Sequence, residues 1–386
     1  MMYRKILFVS LGTTVTVCIS IFSWFLLTSI NTQSVQVVVN THHNKTHHLS
    51  QKDFTTSLTI GAVGDILLHS TVYNDAKTSD GYDFTPMMSN VFPLLTKPDI
   101  TFANQESMIG GKELGISTYP RFNSPYNIAD TIKAAGVDIV SIANNHTLDR
   151  GERAVLNATA YYDKINMAYV GGYRSNKDKE QPRILVNNKI SVGFLAYTYG
   201  TNGLPIPKGK EYLVNVINVT KIKEDIKKLR ADVDVIVVSM HWGNEYERFP
   251  SFQQQELAHL LANEGVDIII GHHPHVLQPI EWIERDDSSK SIVVYSLGNF
   301  LSGQYNDYKD IGGLFEITVT KSFSGNVNEI HLDNPTFTPT YVSNQYQSNF
   351  ETHILSELVS SNNDHLYEQM YKDTMEHMYQ WLDEQP

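Results

Sequence analysis

Val266-Asp267-Ile268-Ile269-Ile270-Gly271-His272-His273-Pro274-His275 runs from an apolar stretch straight into a group of imidazoles. A short apolar run closed by glycine reads as a buried strand. Polar residues placed just after such a strand lie where open α/β sheets bind ligands, outside the carboxyl ends of their strands. Pro274 stiffens the spacing between His273 and His275. The same arrangement recurs along the chain. Leu58–Leu68 carries Gly64-Asp65, and Asp99–Ala103 leads into Asn104-Gln105-Glu106. Val137–Ala143 leads into Asn144-Asn145-His146, followed by Asp149-Arg150-Gly151. Val233–Met240 leads into His241-Trp242-Gly243-Asn244-Glu245, and Ile292–Leu297 into Gly298-Asn299-Phe300. Ile190–Tyr197 reads as a further strand.

Between these strands, Ile128–Ala135, Glu152–Lys164, Val219–Arg230 and Phe252–Glu264 have helical periodicity. Strands alternating with helices predict an α/β domain. Farther on, Gly313–Thr320, Asn326–Leu332 and Thr336–Val342 read as strands finishing a second sheet or a sandwich layer. A polar stretch at 173–182 reads as a loop, and the acidic tail from Thr352 reads as helical.

Each polar block alone has a plain structural reading. Gly-Asp after a strand is usually a turn, and Asn144-Asn145 suits a turn that tolerates the left-handed region. His241 alone reads as a hydrogen-bonded, half-buried histidine. Their ordered recurrence at successive strand ends carries the argument. Carboxylates, an Asn carbonyl and imidazoles together suit Mn²⁺, Fe, Zn²⁺ or Mg²⁺. Two such ions sharing a carboxylate could clamp a phosphate oxygen and activate water. A histidine beside them could protonate a leaving alkoxide. Asp149 either orients His146 or caps the next helix. Glu245 and Asn299 border the same region. Trp242 and Phe300 read as core or wall, and Tyr197-Thr198-Tyr199 either as ordinary strand aromatics or as the lining of a groove.

Composition narrows the function. The formal net charge of -12 over 386 residues excludes the basic footprint of a generic nucleic-acid binder. Arg4 and Lys5 precede Ile6–Ile30, an uncharged segment of 25 residues. About 20 apolar residues span a bilayer, and the flanking positive charge puts Met1 in the cytoplasm. A cleaved signal peptide is the rival reading, but its apolar core runs about 7–15 residues. The expected organisation is therefore a cytoplasmic N-terminus (1–5), a transmembrane anchor (6–30), an extracytoplasmic linker (31–56), a main domain (57–345) and a helical tail (346–386). Cys18, the single cysteine, lies within the apolar segment. No thiolate is left outside it to act as nucleophile or ligand.

Taken together, Ala143-Asn144-Asn145-His146, Ser239-Met240-His241-Trp242-Gly243-Asn244-Glu245-Tyr246, Gly271-His272-His273-Pro274-His275 and Tyr295-Ser296-Leu297-Gly298-Asn299-Phe300 resemble the poly-gamma-glutamate capsule-biosynthesis proteins known as CapA or PgsA. Through them the chain is similar to the calcineurin-like metallophosphoesterases. The resemblance implies a four-layer αββα sandwich. It implies that Asp65 and His275 hold a first divalent metal and that Asn145, His241 and His273 hold a second. Glu106 stands where a bridging Asp would be, and His146 where the acid would be. Leu67 occupies the position of an expected His ligand, with His69 two residues on. The implied role is synthesis or export of poly-gamma-glutamate outside the cell membrane, with membrane subunits of the synthetase complex as partners. The protein would be either a metal-dependent hydrolase or a non-catalytic subunit that binds and exports the polymer. A plain carbohydrate- or protein-binding ectodomain explains the anchor but not the strand-end blocks.

Overall fold

The computed structural model describes residues 53–324, 327–362 and 365–382. The expected anchor and nearly all of the linker lie outside the described residues. Among the described residues, no helix is long and apolar enough to cross a membrane.

The α/β expectation holds, and the domain is built on two mixed sheets. In the first, β1 (Phe54–Leu67), β2 (Ile100–Gln105), β3 (Ile139–Ser141) and β4 (Ala168–Val170) lie parallel and in that order. The second begins with β5 (Arg183–Asn187), antiparallel to β6 (Ile190–Thr198). Parallel β7 (Val235–His241) and β8 (Ile268–His272) follow. Then β9 (Leu277–Glu284) and β10 (Lys290–Leu297) close that sheet, with β10 beside β8 and β9 at the edge. The chain returns to the first sheet in β11 (Asn299–Ser302), parallel to the end of β1. An antiparallel run of β12 (Ile311–Ser324), β13 (Val327–Gln345) and β14 (Ser348–Ile354) extends the other flank of β1.

Alternation along the strands builds the layers. In β7, Val235 and Val237 face the other sheet, in a core with Ile60, Phe102, Phe194 and Ile270. Ile236 and Val238 face the opposite way, onto Ile222, Ile226 and Leu261 of the helices Val219–Arg230 and Phe252–Asn263. Val63 and Ile66 of β1 likewise face Ile132 and Val155 of the helices Asn127–Ala134 and Gly151–Lys164. Strands covered on both faces are apolar throughout, as the sequence of β7 and β8 shows. Helix ends follow local chemistry. Ser251 and Gln254 form a reciprocal capping box at the start of Phe252–Asn263. Asn218 accepts from the Lys221 amide to start Val219–Arg230.

Four expectations change. Of the two readings of the late strands, the second sheet is not formed; they complete a layer by widening the first sheet, because β12 pairs with β1 from Phe54 to Val63. The strands expected at 326–332 and 336–342 are one strand, β13. Asn334, at φ 53°, and Pro335 are absorbed in a bulge where the register slips between Glu316 and Thr318. The stretch at 173–182 contains a short helix, Asn176–Lys179, capped by Ser175. In the tail, Thr352 still belongs to β14, and helices span Leu355–Asn362 and His365–Tyr379. The second of these packs onto the sheets, where Tyr379 Oη accepts from the Phe337 amide at 2.7 Å.

Candidate metal centre

Parallel pairing brings the strand ends together. Asp65 on β1 is in register with Asn104 on β2 and with Asn299 on β11. His241 on β7 is in register with His272 on β8. Gly64 makes the approach of β1 and β11 possible. A Cβ there would lie 2.0 Å from the Gly298 carbonyl oxygen. With no side chain in the way, the Asp65 amide donates to that oxygen at 2.8 Å.

Asp65, Glu106, Asn145, His241, His273 and His275 are all buried and meet in one cluster. His241 Nε2 is 2.9 Å from Asn145 Oδ1 and 3.5 Å from Glu106 Oε1. His275 Nε2 is 3.7 Å from the same Glu106 oxygen, and its Nδ1 is 3.1 Å from Asp65 Oδ2. The His273 ring stands 4.8 Å from that of His241, centroid to centroid. Two overlapping sets, Asp65-Glu106-His241 and Glu106-His273-His275, have ligand atoms within 4.8 Å of one another. Both contain Glu106, as a bridging carboxylate requires. Their membership crosses the partition implied by the resemblance, pairing His241 with Asp65 and His273 with His275.

The loop after β8 is under backbone strain. His273 and His275 adopt φ of 97° and 60°, a region that costs a non-glycine residue of order 1–3 kcal/mol. It is held by the His273 amide, which donates to Asp65 Oδ2 at 3.3 Å, and by the Tyr246 amide, which donates to the Pro274 carbonyl at 2.7 Å.

Electrostatics without a cation are unfavourable for Glu106. Burial pushes its carboxyl up to about 8, against the pull of His275. Neither of its oxygens has a hydrogen-bond partner. Burial also opposes ionisation of Asp65, but hydrogen bonds to His272 and His275 hold it well below the usual carboxylate range. Burial drives His241 far down and His273 to about 2, so both imidazoles are neutral. For His275, burial is outweighed by Glu106 and Asp65, which raise it to about 9. Ionised Asp65 with neutral His241 and His273 is the protonation state in which these groups ligate a cation. The unpartnered oxygens of Glu106 and the unpartnered Nδ1 of His273 are the acceptors that it would satisfy. On this observation the residues fit a divalent metal.

His146 sits at the edge of the cluster. Its Nδ1 is 2.7 Å from Asp149 Oδ2, which also accepts from the Phe122 amide at 2.7 Å. The helix starting at Gly151 has Arg150 at its cap and no side-chain cap bond. Of the two roles open to Asp149, the geometry selects orientation of His146. Phe122 packs edge-on against the ring at 4.7 Å. Beside His146 a cleft of about 420 Å³ is lined by Asn145, Asn202, Arg121 and Glu245 among others.

Leu67 is buried, and His69 does not join either ligand set. Its Nδ1 accepts from the Gly303 amide at 3.3 Å, turning the ring toward β11. Four contributing residues lie outside the candidate ligands drawn from the sequence. Asn104 donates to Asp65 Oδ1 at 2.8 Å. It precedes Glu106 by two positions, the spacing that puts both on one face of an extended chain, and that signal was available. His272 Nδ1 reaches within 3.4 Å of Asp65 Oδ1. Asn202 accepts from Asn145 Nδ2 at 3.3 Å, which turns Asn145 Oδ1 toward His241. The Tyr199 ring lies 4.7 Å from that of His273. Tyr199 closes the aromatic run at the end of β6, and Asn202 comes from a loop with no motif to mark it.

Comparison with known proteins gives this geometry a family. The chain is 29% identical over 260 residues to the capsule biosynthesis protein CapA of Bacillus anthracis, covering 64% of this chain and 60% of that one. It is 30% identical over 210 residues to the PGA biosynthesis protein CapA of Bacillus subtilis, covering 48% and 51%. The chain thus spans less than two thirds of the length of either relative. A probable polyglutamine synthesis accessory protein of Mycobacterium tuberculosis is 24% identical over 216 residues, covering 50% and 54%. Among solved structures, the calcineurin-like phosphoesterase YfkN of Bacillus subtilis superposes with a TM-score of 0.40 at 16% identity, covering 82% of this chain and 100% of that one. The NAD nucleotidase of Haemophilus influenzae scores 0.44 at 9% identity, covering 83% and 60%. Scores this low carry no inference about activity. The family described as bacterial capsule synthesis protein PGA_cap matches residues 59–304, a span that takes in every clustered residue from Asp65 to His275, and the chain belongs to that family.

Proposed function

We propose that this protein is a membrane-anchored, extracytoplasmic component of poly-gamma-glutamate capsule synthesis or export, with a hydrolase-like divalent metal centre of the calcineurin-like type. The observation that carries the metal reading is Glu106, a fully buried carboxylate with two unpartnered oxygens, of which Oε1 faces both His241 and His275. Asp65, Glu106, Asn145, His241, His273 and His275 would hold the metal. Divalent ions there supply Lewis acidity and an activated water at neutral pH. The chain's own residues do the rest. Asp149 fixes the His146 ring through Nδ1, leaving Nε2 to give a proton to a departing group. Asn104 and His272 steady Asp65. Tyr199 and Phe122 wall the imidazoles and limit water. The capsule reading is supported by family membership and by the CapA relatives. The anchor reading is supported by the uncharged segment Ile6–Ile30.

One observation favours the second reading, a subunit that binds and exports polymer without cutting it. The ligand position at Leu67 is filled by a buried apolar side chain, and His69 is engaged elsewhere. Elemental analysis tests the metal centre directly. Wild type is expected to hold at least one transition-metal equivalent, and Asp65→Ala and His275→Ala to lose most of it. Equally negligible metal in all three proteins would sink the reading. Metal-dependent turnover of bis-p-nitrophenyl phosphate or of poly-gamma-glutamate then separates hydrolase from exporter.

A further inference from the structure

The cleft beside His146 does not end there. A second cleft of about 470 Å³ continues from it, and the two share Arg121, Asp149 and Leu204. Each is of the size that binds small ligands, and joined they form a groove leading away from the metal cluster. Two guanidinium groups lie along it. The Arg121 side chain is exposed, and only its backbone is engaged. Its amide donates to the Thr118 carbonyl at 3.2 Å, and its carbonyl accepts from Ser117 Oγ at 2.7 Å. Arg150 donates to Ser117 Oγ at 3.2 Å and to the Leu114 carbonyl. Neither arginine forms an ion pair among the described residues. Of the acids in the lining, Asp149 is committed to His146 and Glu152 to Lys210, which leaves Glu245, at the end nearest the metal cluster, as the one carboxylate without a cation partner. Two guanidiniums against that one free carboxylate leave the groove with net positive charge, concentrated away from the metal cluster, on a protein whose formal net charge is -12.

We infer that this groove holds an extended acidic polypeptide, with Arg121 and Arg150 gripping carboxylates spaced along it and Arg121 setting the segment presented to His146. Guanidinium forks match planar carboxylates in bidentate fashion. They also match phosphates, but the rest of the lining decides between the two. Leu148, Leu204, Pro205 and Pro207 form apolar walls, which suit the methylene groups of glutamyl units and offer nothing to polyphosphate. The inference deepens the proposed function and rests on it in taking gamma-linked glutamate as the acidic chain and in placing that chain beside the metal cluster.

The test is fluorescence anisotropy of the full chain with a short labelled oligoglutamate joined through side-chain amides. Arg121→Gln is expected to weaken binding roughly tenfold, a loss of about 1.4 kcal/mol, with unchanged thermal stability because that guanidinium holds nothing in the fold. Arg121→Lys is expected to recover part of the loss, as it keeps the charge and loses the fork. Arg150→Gln should weaken binding as well, though its tether to Leu114 makes it the less clean variant. Neutral oligoglutamine should not bind. Wild-type affinity in Arg121→Gln, or polyphosphate competing as tightly as oligoglutamate, overturns the inference. Asp65→Ala distinguishes this failure from that of the metal centre. It is expected to lose metal yet keep Arg121-dependent binding. Metal-free wild type with Arg121-dependent binding would end the metal reading and leave the groove standing. Metal-loaded wild type with no Arg121 dependence would do the reverse.

Discussion

Glu106→Gln should stabilise the metal-free protein and impair the metal-bound one. Glu106 has an ordinary pKa of 4.5, which burial raises to about 8. The folded state therefore keeps a proton that the unfolded state has lost, and the linkage opposes folding. In metal-free protein, stability falls as pH climbs through 4.5 toward 8. At pH 7 the accumulated penalty is the free energy of 2.5 pH units, about 3 kcal/mol. Glutamine removes that penalty but leaves a neutral amide with few partners, which returns about 1–2 kcal/mol. The net gain is about 1–2 kcal/mol, a rise of roughly 2–5 °C in Tm for a domain of this size. With metal bound the sign reverses, because the ionised carboxylate is then the ligand and its removal weakens binding. Differential scanning calorimetry of both proteins at pH 7, with chelator and with Mn²⁺, reads this directly. A chelated Glu106→Gln protein that melts lower than wild type, together with undiminished metal content, would refute the reasoning.

Asp149→Asn should lower turnover of a phosphodiester by roughly 10–100-fold while metal content stays near wild type, since Asp149 acts on His146 and not on the cluster; equal loss of metal would reassign it to structure. Gly64→Ala should destabilise by several kcal/mol, because its Cβ would meet the Gly298 oxygen at 2.0 Å, and a Tm unchanged from wild type would contradict the packing of β1 on β11. Burial lowers His377 from 6.5 to about 4 while its Nε2 donates to the Leu277 carbonyl at 3.0 Å. The unfolded chain thus binds the extra proton first, and stability present above pH 6.5 is lost as pH falls toward 4, by on the order of 2 kcal/mol after allowance for solvent screening. Hydrogen exchange should show the helix His365–Tyr379 opening faster at pH 4.5 than at pH 7, and His377→Gln should remove most of that dependence.

Local chemistry carried much of this protein's description. Apolar runs such as Ile268-Ile269-Ile270 and Val235-Ile236-Val237-Val238 are strands because both of their faces are covered, so the alternation that marks a half-exposed strand is absent. The helix over Val219–Arg230 could be read from its own periodicity and cap, since both arise within a few residues. The candidate ligands were legible because each lies in the last residues of such a strand or just past its end. Pairing was not legible. Nothing local says that β12 joins β1, since sheet order depends on contacts between residues far apart in the chain. Nor does the sequence say that Asp149 turns to His146 instead of capping a helix, or that Arg121 stands unpaired where two clefts meet. Those outcomes depend on which side chains share a cavity, and only the closing of the two sheets brings Glu106 against His241 and His275 with no other partner for its charge.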